Sequence, residues 1–426
     1  MADSSAGGRP REVVRAHVAV VGGGRRAVRA ARHLAEAGIG DVVLVTAEPL
    51  TAALASAPAP VSSVLAAAAA TGHTWAFGYE RARVAARDAA KPATLRGVDV
   101  VVAGTPRIAG ARGRAALVHA PGDARCGETD VRARTVLVVP PLVESNPGVT
   151  GLPDEVSWRP DQVPSWTDLP FSLVVLGGGP TGCELAAAFA AWGSKVTVVE
   201  KADRLLPGVH PSASTAVQRR LEAAGVRVLL GGTVTRVAPT LDDGVYVGTD
   251  VGGDVAATHL VLATGAVPEA VPGAAALEAQ LRVPRRLWRP ATWRRPELLS
   301  PPDEVAPVVL ATSPQVAHVG MPQAPDGGVV AATEVPVPGV EDGRLVLVHT
   351  GGRLRGACAV GDGAGLAVAE AALALSVGVP LAAWARVGRC GGLASSFEGH
   401  SGGGDVGVLA AAWGQAYARA LELALE

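Results

Sequence analysis

The apolar positions of this chain fall into two similar segments, one near the N-terminus and one near the middle. Residues 17–45 read HVAVVGGGRRAVRAARHLAEAGIGDVVLV, and residues 172–200 read SLVVLGGGPTGCELAAAFAAWGSKVTVVE. In each segment a short apolar run meets a Gly-rich turn, and a helical stretch then leads to a second apolar run. Short apolar runs bounded by glycine indicate buried strands, and strands that alternate with helices indicate a parallel sheet. The pattern therefore predicts two strand–turn–helix–strand units.

Further apolar runs extend both units, and the last third of the chain has a different texture. Strand-like stretches at residues 98–120 and 134–148 follow the first unit, and those at residues 225–237 and 258–269 follow the second. A Pro- and Arg-rich stretch that begins near Leu277 reads as an irregular linker. Beyond it, strands alternate with apolar helices. We expect an α/β chain with two doubly wound, Rossmann-like dinucleotide-binding domains and a C-terminal α+β domain.

The two Gly-rich turns carry the strongest chemical signal. In a G-x-G-x-x-G turn the first glycine allows the tight turn and the second lets the backbone approach a pyrophosphate. A small third residue lets the helix pack closely on the strand. The N-terminus of that helix then offers free N–H groups to an anion. The cofactor-binding candidates are Gly22, Gly24 and Ala27 in the first turn and Gly177, Gly179 and Gly182 in the second. The alternative is that these turns persist as scaffold with nothing bound.

The residues that end the second strand of each unit differ. Glu200 ends this strand in the second unit, where an acid accepts a hydrogen bond from a ribose 2′-hydroxyl and favours NAD over NADP. Lys201 and Arg204 are near enough in sequence to offset this preference. The first unit has Thr46 at the corresponding position, and Glu48, two residues further on, is the candidate substitute.

Composition excludes several classes of protein. Hydrophobic residues make up 49% of the 426 residues and charged residues 18%, which is typical of a globular chain. The formal net charge of −1 provides no basic field for nucleic acid or an anionic membrane. No apolar run reaches the ~18 residues of a membrane span, and the N-terminal residues lack the pattern of a secretory signal. We therefore expect a cytoplasmic protein with neither a nucleic acid nor a membrane as a partner.

The Cys and Lys residues add two expectations. The four Cys residues are far apart and form no metal-ligand spacing, which predicts reduced thiols and no metal site. Cys183 and Cys358 are expected to be buried small hydrophobic side chains. Of the 38 basic residues only Lys91, Lys195 and Lys201 are Lys, and with the abundant Ala and Gly this bias is typical of GC-rich, actinobacterial coding.

The motifs GGGPTGCELA, VTVVEKADRLLP and LVLATG resemble the nicotinamide half of the pyridine nucleotide–disulfide oxidoreductases. Residues 305–328 and 344–378 resemble the C-terminal half of the same family. The resemblance implies three domains: an FAD-type domain over residues 1–165, to which 270–305 return, an NAD(P)-type domain over 166–270, and an interface domain over 306–426. It also implies that the interface (dimerisation) domain forms a homodimer.

The chain departs from this family at the residues that handle thiols. No Cys stands between Thr51 and Ser63, where the family has Cys-x-x-x-x-Cys, and LASSFE replaces the C-terminal His-Pro-Thr-x-x-Glu, with Leu393 at the His. A leucine takes no proton, and a dithiol relay requires a thiolate. The first Ala-Thr-Gly strand end is here residues 139–141, Val-Pro-Pro, and the FAD-binding Gly-Asp motif has no counterpart. These departures argue against disulfide reductase chemistry.

We prefer the hypothesis that the chain is a non-redox enzyme on a flavoprotein scaffold. Such an enzyme would position an apolar small molecule for ring formation or rearrangement, as in flavoprotein-like cyclases of polyether and tetronate polyketides in antibiotic biosynthesis. On this hypothesis no cofactor is required and the FAD site is vestigial. One alternative is an FAD- and NAD(P)H-dependent oxidoreductase without a redox-active disulfide. The other is a non-catalytic NAD-binding or partner subunit.

Four residues are the catalytic candidates. By the resemblance, Glu184 faces the nicotinamide and the flavin, although an acid near a helix N-terminus also suits the helix dipole. His73 follows the helix next to the missing thiols, and a packing or surface role is its alternative. Glu398 and His400 would form an acid–base pair brought over from the partner subunit, or else lie in a loop without function.

Overall fold

The structure is a computed structural model in which the chain separates into two compact units. The first contains residues 1–58, 84–145 and 266–300, and the second contains residues 59–83, 146–265 and 301–426. The structure describes residues 12–22, 24–46, 61–72, 74–75, 97–102, 107–112, 115–120, 129–139, 142–144, 149, 157–158, 160, 163, 168–241, 244–268, 307–325, 329–388 and 404–425.

The first unit is built on a six-stranded sheet with the order β3-β2-β1-β6-β5-β4. Its strands are β1 (Glu12–Gly22), β2 (Val42–Thr46), β3 (Val98–Val102), β4 (Arg107–Arg112), β5 (Ala115–Ala120) and β6 (Thr129–Val139), and helix α1 (Gly24–Glu36) connects β1 to β2. Strands β3, β2, β1 and β6 are parallel, and β5 and β4 extend the sheet antiparallel. Strand β7 (Leu142–Glu144) pairs separately with β16 (Ala266–Pro268).

Alternation along β1 explains why this sheet has two buried faces. Val18 and Val20 pack on one face with Ala27 of α1, whereas Ala19 and Val21 belong to a cluster on the opposite face. Successive side chains of a strand point to opposite faces, so an unbroken apolar run buries both. The continuous run in the sequence is therefore a central parallel strand.

The second unit contains a second parallel sheet, with the order β11-β10-β9-β15-β8. Its strands are β8 (Ser157–Trp158), β9 (Ser172–Leu176), β10 (Lys195–Glu200), β11 (Arg227–Leu230) and β15 (His259–Leu262). Helix α3 (Pro180–Ala191) connects β9 to β10, and α4 (Pro211–Ala223) connects β10 to β11. A small antiparallel sheet consists of β12 (Val234–Pro239), β13 (Val245–Thr249) and β14 (Val255–Ala257). Helix α2 (Val61–Ala70) belongs to the same unit.

The C-terminal part of the second unit is an antiparallel sheet with helices on one face. The sheet order is β17-β18-β21-β20-β19, and its strands are β17 (Val308–Leu310), β18 (Val316–Gly320), β19 (Ala331–Pro336), β20 (Arg344–Thr350) and β21 (Arg353–Val360). Three helices follow: α5 (Ala364–Val377), α6 (Leu381–Gly388) and α7 (Gly404–Leu425). On β20, Leu345 and Leu347 pack with these helices, whereas Val346 and Val348 join the core that contains Phe189 of α3.

These elements confirm the predicted fold class: two doubly wound, Rossmann-like sheets and a C-terminal α+β domain. The prediction that Cys183 and Cys358 are buried is also confirmed, because both are 0% exposed. Within the described residues, no helix has the length and apolar character of a membrane span. The predicted domain boundaries and the homodimer stay predictions.

Candidate functional site

The turn after β9, residues 177–182, leaves no room for a Cβ at two positions; we call it the phosphate turn. Gly177 has φ +111°, and a Cβ there would lie 2.4 Å from the carbonyl oxygen of Ala263. A Cβ on Gly182 would lie 1.9 Å from the carbonyl oxygen of Gly177. Both obstacles are backbone atoms, so a larger residue at either position would displace the strand ends themselves. The two glycines are therefore required by the fold.

Gly179 differs from these two glycines. Its φ is −73°, which any residue adopts, and a Cβ placed on it would meet no heavy atom within 4 Å. Gly179 is the N-cap of α3, and no side chain caps that end of the helix. The first helical hydrogen bond runs from the Cys183 N–H to the Gly179 carbonyl at 3.0 Å, so the N–H groups before it have no partner within the helix. Open space beside uncapped N–H groups suits a pyrophosphate.

Glu200, at the end of β10, holds the phosphate turn and the following loop together. Its carboxylate accepts hydrogen bonds from the N–H of Gly178 at 2.5 Å and from the N–H of Ala202 at 2.7 Å. The Leu206 N–H in turn donates to the Gly178 carbonyl at 2.8 Å. Glu200, the acid predicted to bind a ribose, is therefore a fixed carboxylate next to the phosphate turn. Its contact with a ribose stays a prediction.

Arg204, in the same loop, is engaged by three acceptors. Its guanidinium donates to the carbonyls of Val209 at 2.9 Å and Pro207 at 2.8 Å, and to Gln323 Oε1 at 2.9 Å. A guanidinium is planar and offers five N–H donors in a rigid fork. The three hydrogen bonds to Val209, Pro207 and Gln323 therefore fix the plane of the Arg204 guanidinium. Lys201, the other basic residue near the strand end, is exposed.

Glu184, in α3 just after its first turn, is a buried residue, 3% exposed, whose carboxylate has three donors. The hydroxyl of Ser62 donates to Oε2 at 2.6 Å, the hydroxyl of Ser63 contacts both oxygens at 2.8 and 3.0 Å, and the N–H of Ala311 donates to Oε1 at 2.9 Å. A buried carboxylate requires such donors, because an unmade bond to a charged group costs about 1.5–3 kcal/mol. The cluster therefore joins α2, α3 and the segment after β17. The catalytic role predicted for Glu184 stays a prediction.

The serine pair is a feature that sequence reasoning missed. Ser62 and Ser63 are the only polar residues in α2, VSSVLAAAAA, and two adjacent hydroxyls in so apolar a helix indicate a buried polar partner. Glu184 is 122 residues away from Ser62, so no local pattern identifies it as that partner.

Neither described cysteine is suited to redox chemistry. The Cys183 thiol donates to the Gly178 carbonyl at 3.3 Å, and burial, with the nearby charges of Glu200 and Glu184, raises its pKa far above the ordinary value. Burial likewise raises the pKa of Cys358 to about 12. The thiolate is the reactive form of cysteine. Both thiols therefore stay protonated and inert near neutral pH.

The first unit repeats part of this arrangement. Gly22 ends β1 with φ +149°, Gly24 begins α1, and Ala27 at the third position of the turn is 0% exposed. These described residues fit the turn of a dinucleotide site. The strand that follows ends at Thr46, which is 2% exposed, and Glu48 lies outside the described residues. The predicted candidates His73, Glu398 and His400 also lie outside them.

Two Rossmann-like sheets, each with a Gly-containing turn before its helix, define a protein with two dinucleotide-type domains. The sequence pattern of the pyridine nucleotide-disulphide oxidoreductases matches residues 16–282. The chain belongs to this family.

Individual relatives agree with this membership. A dihydrolipoyl dehydrogenase of Bacillus subtilis is 40% identical over 82 residues, which are 19% of this chain and 18% of the relative. A rubredoxin-NAD(+) reductase of Ectopseudomonas oleovorans is 35% identical over 99 residues, 23% of this chain and 26% of the relative. These alignments span about a fifth to a quarter of the curated relatives' length.

Solved structures match almost the whole chain in fold. LpdA from Mycobacterium tuberculosis superposes with a TM-score of 0.68 at 18% identity, over 95% of this chain and 99% of LpdA. The HOCl-induced flavoprotein disulfide reductase RclA from Escherichia coli gives a TM-score of 0.65 at 17% identity, over 94% of this chain and 99% of RclA.

These findings contradict the preferred hypothesis of a non-redox, ring-forming enzyme. The family and the named relatives are oxidoreductases, and the expectation that no cofactor is required is wrong for the same reason. The hypothesis took the missing thiols and the missing FAD-site residues together as the loss of all redox machinery, whereas the phosphate turn and Glu200 are intact. The polyketide substrate and the actinobacterial source gain no support from the comparisons.

Proposed function

We propose that this protein is an FAD- and NAD(P)H-dependent oxidoreductase that works without a redox-active disulfide. When bound, a nicotinamide nucleotide supplies a hydride and a flavin relays the electron pair to an acceptor. The observation that carries the proposal is the phosphate turn, in which Gly177 and Gly182 are required by the fold while Gly179 borders open space. A turn kept only as scaffold would need Gly177 and Gly182 but would have no need of a glycine at position 179.

The residues of the second unit would hold the nicotinamide nucleotide. The N–H groups at the start of α3 would bind its pyrophosphate, because they have no other partner within the helix. Glu200 would accept a hydrogen bond from the adenosine ribose. The first turn, with Gly22, Gly24 and Ala27, would hold the FAD pyrophosphate in the same way.

The acceptor is expected to take electrons without thiol exchange. The chain has no Cys between Thr51 and Ser63, and Cys183 and Cys358 are buried with raised pKa values. An apolar small-molecule acceptor and a cytoplasmic location are parts of this proposal. The cytoplasmic location rests on a sequence whose Cys residues show no disulfide framework.

A homodimer formed through the C-terminal domain completes the proposal. Helix α5 leaves Leu366, Leu373 and Val377 exposed by 56%, 66% and 69%. These positions lie seven and four residues apart and so share one face of the helix, and an exposed apolar face of this kind is typical of an interface. Leu373→Glu is expected to convert a dimer into a monomer in light scattering. An unchanged mass would contradict an interface at this face.

The proposed function is tested by loading the purified protein with FAD and measuring NADH oxidation with ferricyanide as the acceptor. We expect bound flavin in the visible spectrum and turnover that depends on it. The matched control is Gly179→Ala, which is expected to fold and to bind FAD but to require at least about tenfold more NADH for the same rate. A wild-type protein that takes up no FAD and oxidises no NADH would refute the proposal.

A further inference from the structure

The loop after β10 carries two conflicting signals for the choice between NAD(H) and NADP(H). An acid at the end of this strand bonds a ribose 2′-hydroxyl, whereas an Arg close by accommodates a 2′-phosphate. This chain has both Glu200 and, four residues later, Arg204. The sequence alone therefore leaves the preference open, and the geometry of the two side chains decides it.

Glu200 is fixed in the position that favours a hydroxyl. Its two oxygens are held by the N–H groups of Gly178 and Ala202, so the carboxylate stays at the phosphate turn. A dianionic 2′-phosphate brought next to this carboxylate would be repelled, whereas a hydroxyl can donate to one of its remaining lone pairs. The acid is thus both available to NAD(H) and an obstacle to NADP(H).

Arg204 is held in a different set of contacts. Its Nη1 and Nη2 donate to the carbonyls of Val209 and Pro207, which lie in its own loop, and Nη2 also donates to Gln323 of the segment after β18. Moving the guanidinium to a 2′-phosphate would break three hydrogen bonds, and charged hydrogen bonds are the stronger kind. Gln323 is the one side chain among these acceptors, so it is the one that substitution can remove.

The loop itself is anchored and is not free to carry Arg204 to a new position. Leu205 and Leu206 are almost completely buried, and the Leu206 N–H bonds the Gly178 carbonyl. Leu206 adopts φ +48°, a left-handed conformation that a branched residue keeps only when its surroundings impose it. The loop that carries Arg204 is therefore fixed on the phosphate turn.

We propose that Gln323 is a specificity-determining residue: by holding Arg204 on the Val209 and Pro207 carbonyls, it makes the site selective for NAD(H) over NADP(H). The inference rests on the proposed nucleotide site and adds the identity of the nucleotide. Gln323 acts through Arg204 and touches no nucleotide itself.

The test is a titration of the purified protein with NADH and with NADPH, followed by nicotinamide fluorescence, which requires no turnover. We expect the wild type to bind NADPH about 10- to 150-fold more weakly than NADH, the range of one charged hydrogen bond. Gln323→Ala is expected to raise NADPH affinity and leave NADH affinity unchanged. Gln323→Glu, which adds an ion pair to Arg204, is expected to lower NADPH affinity further.

The double variant Arg204→Ala/Gln323→Ala distinguishes an effect of Gln323 through Arg204 from any other effect of a substitution at position 323. The double variant is expected to restore the wild-type ratio of the NADPH and NADH dissociation constants, because no guanidinium is then free to bind the 2′-phosphate. Equal binding of NADH and NADPH by the wild type would overturn the inference while leaving the proposed function in place. If Gln323→Ala leaves the ratio of the two dissociation constants unchanged, the role of Gln323 is overturned. Binding of neither nucleotide would overturn the proposed function itself.

Discussion

Two glycines of the phosphate turn are expected to respond to the same substitution in opposite ways. In Gly182→Ala the new Cβ would lie 1.9 Å from the Gly177 carbonyl oxygen. Backbone cannot yield as a flexible side chain does, and overpacking of this kind costs about 1–3 kcal/mol. For a unit of this size each kcal/mol lowers the melting temperature by about 2–4 °C, so we expect a fall of roughly 2–12 °C.

Gly179→Ala is expected to keep its stability and lose its ligand. At φ −73° and with no heavy atom within 4 Å, the new Cβ introduces no strain, and a less flexible unfolded chain contributes up to about 1 kcal/mol of stability. The same Cβ occupies the space in which a pyrophosphate would meet the N–H groups of α3. We expect the dissociation constant for NADH to rise at least about tenfold, which is 1.4 kcal/mol.

Thermal melts with and without NADH measure both effects together. Saturating NADH is expected to raise the melting temperature of the wild type, since a ligand at about 100 times its dissociation constant stabilises by roughly 2.7 kcal/mol. Gly179→Ala is expected to melt at or slightly above the wild-type temperature without NADH. At the same NADH concentration it is expected to gain at most about half of the wild-type stabilisation, because a tenfold weaker site is then at only about 10 times its dissociation constant. The reasoning is refuted if Gly182→Ala is as stable as the wild type, or if Gly179→Ala gains as much stability from NADH.

Three further predictions concern buried and partly buried groups. Replacement of Ser62 or Ser63 by Ala is expected to lower the free energy of unfolding by about 1.5–3 kcal/mol in a denaturant titration, because Glu184 loses a hydroxyl donor. A change below about 0.5 kcal/mol, the scale of neutral surface substitutions, would show that these hydrogen bonds do not stabilise the fold. Burial lowers the pKa of His318 below its ordinary 6.5, so only the unfolded state gains a proton as the pH first falls below that value. We therefore expect stability to fall with pH through 6.5 and below, and His318→Gln to flatten that slope. Burial raises the pKa of Cys358 from 9.0 to about 12, so stability is expected to fall as the pH rises through that interval. Cys358→Ala should reduce this loss, while Cys183, whose pKa burial also raises, keeps its own part; identical alkaline melts would contradict it.

The strands and the phosphate turn could be predicted from sequence because their causes are local. A short apolar run bounded by glycine, such as the one around Val20, indicates a buried strand. Gly182 is required by a contact within its own turn, with the Gly177 carbonyl oxygen. Glu200 likewise acts on Gly178, which the turn itself brings near.

The remaining features depend on contacts between distant parts of the chain. Ser62 meets Glu184 across 122 residues, and Arg204 meets Gln323 across 119. No sequence pattern predicts such pairs, so the hydrogen bonds of the serines to Glu184 and of Arg204 to Gln323 are seen only in the folded chain. The functional error had another cause. It inferred a lost activity from the missing Cys and FAD-site residues, although the phosphate turn predicted to bind the nicotinamide nucleotide is independent of both.

An anaerobic reductive titration tests most directly whether this family member works without a dithiol. The FAD-loaded protein is titrated with NADH while the visible flavin band and the number of free thiols are recorded. We predict that a single equivalent of NADH per flavin bleaches the band completely and that no new thiol appears, because the electron pair then stays on the flavin. A requirement for a second equivalent, accompanied by new free thiols, would contradict the account.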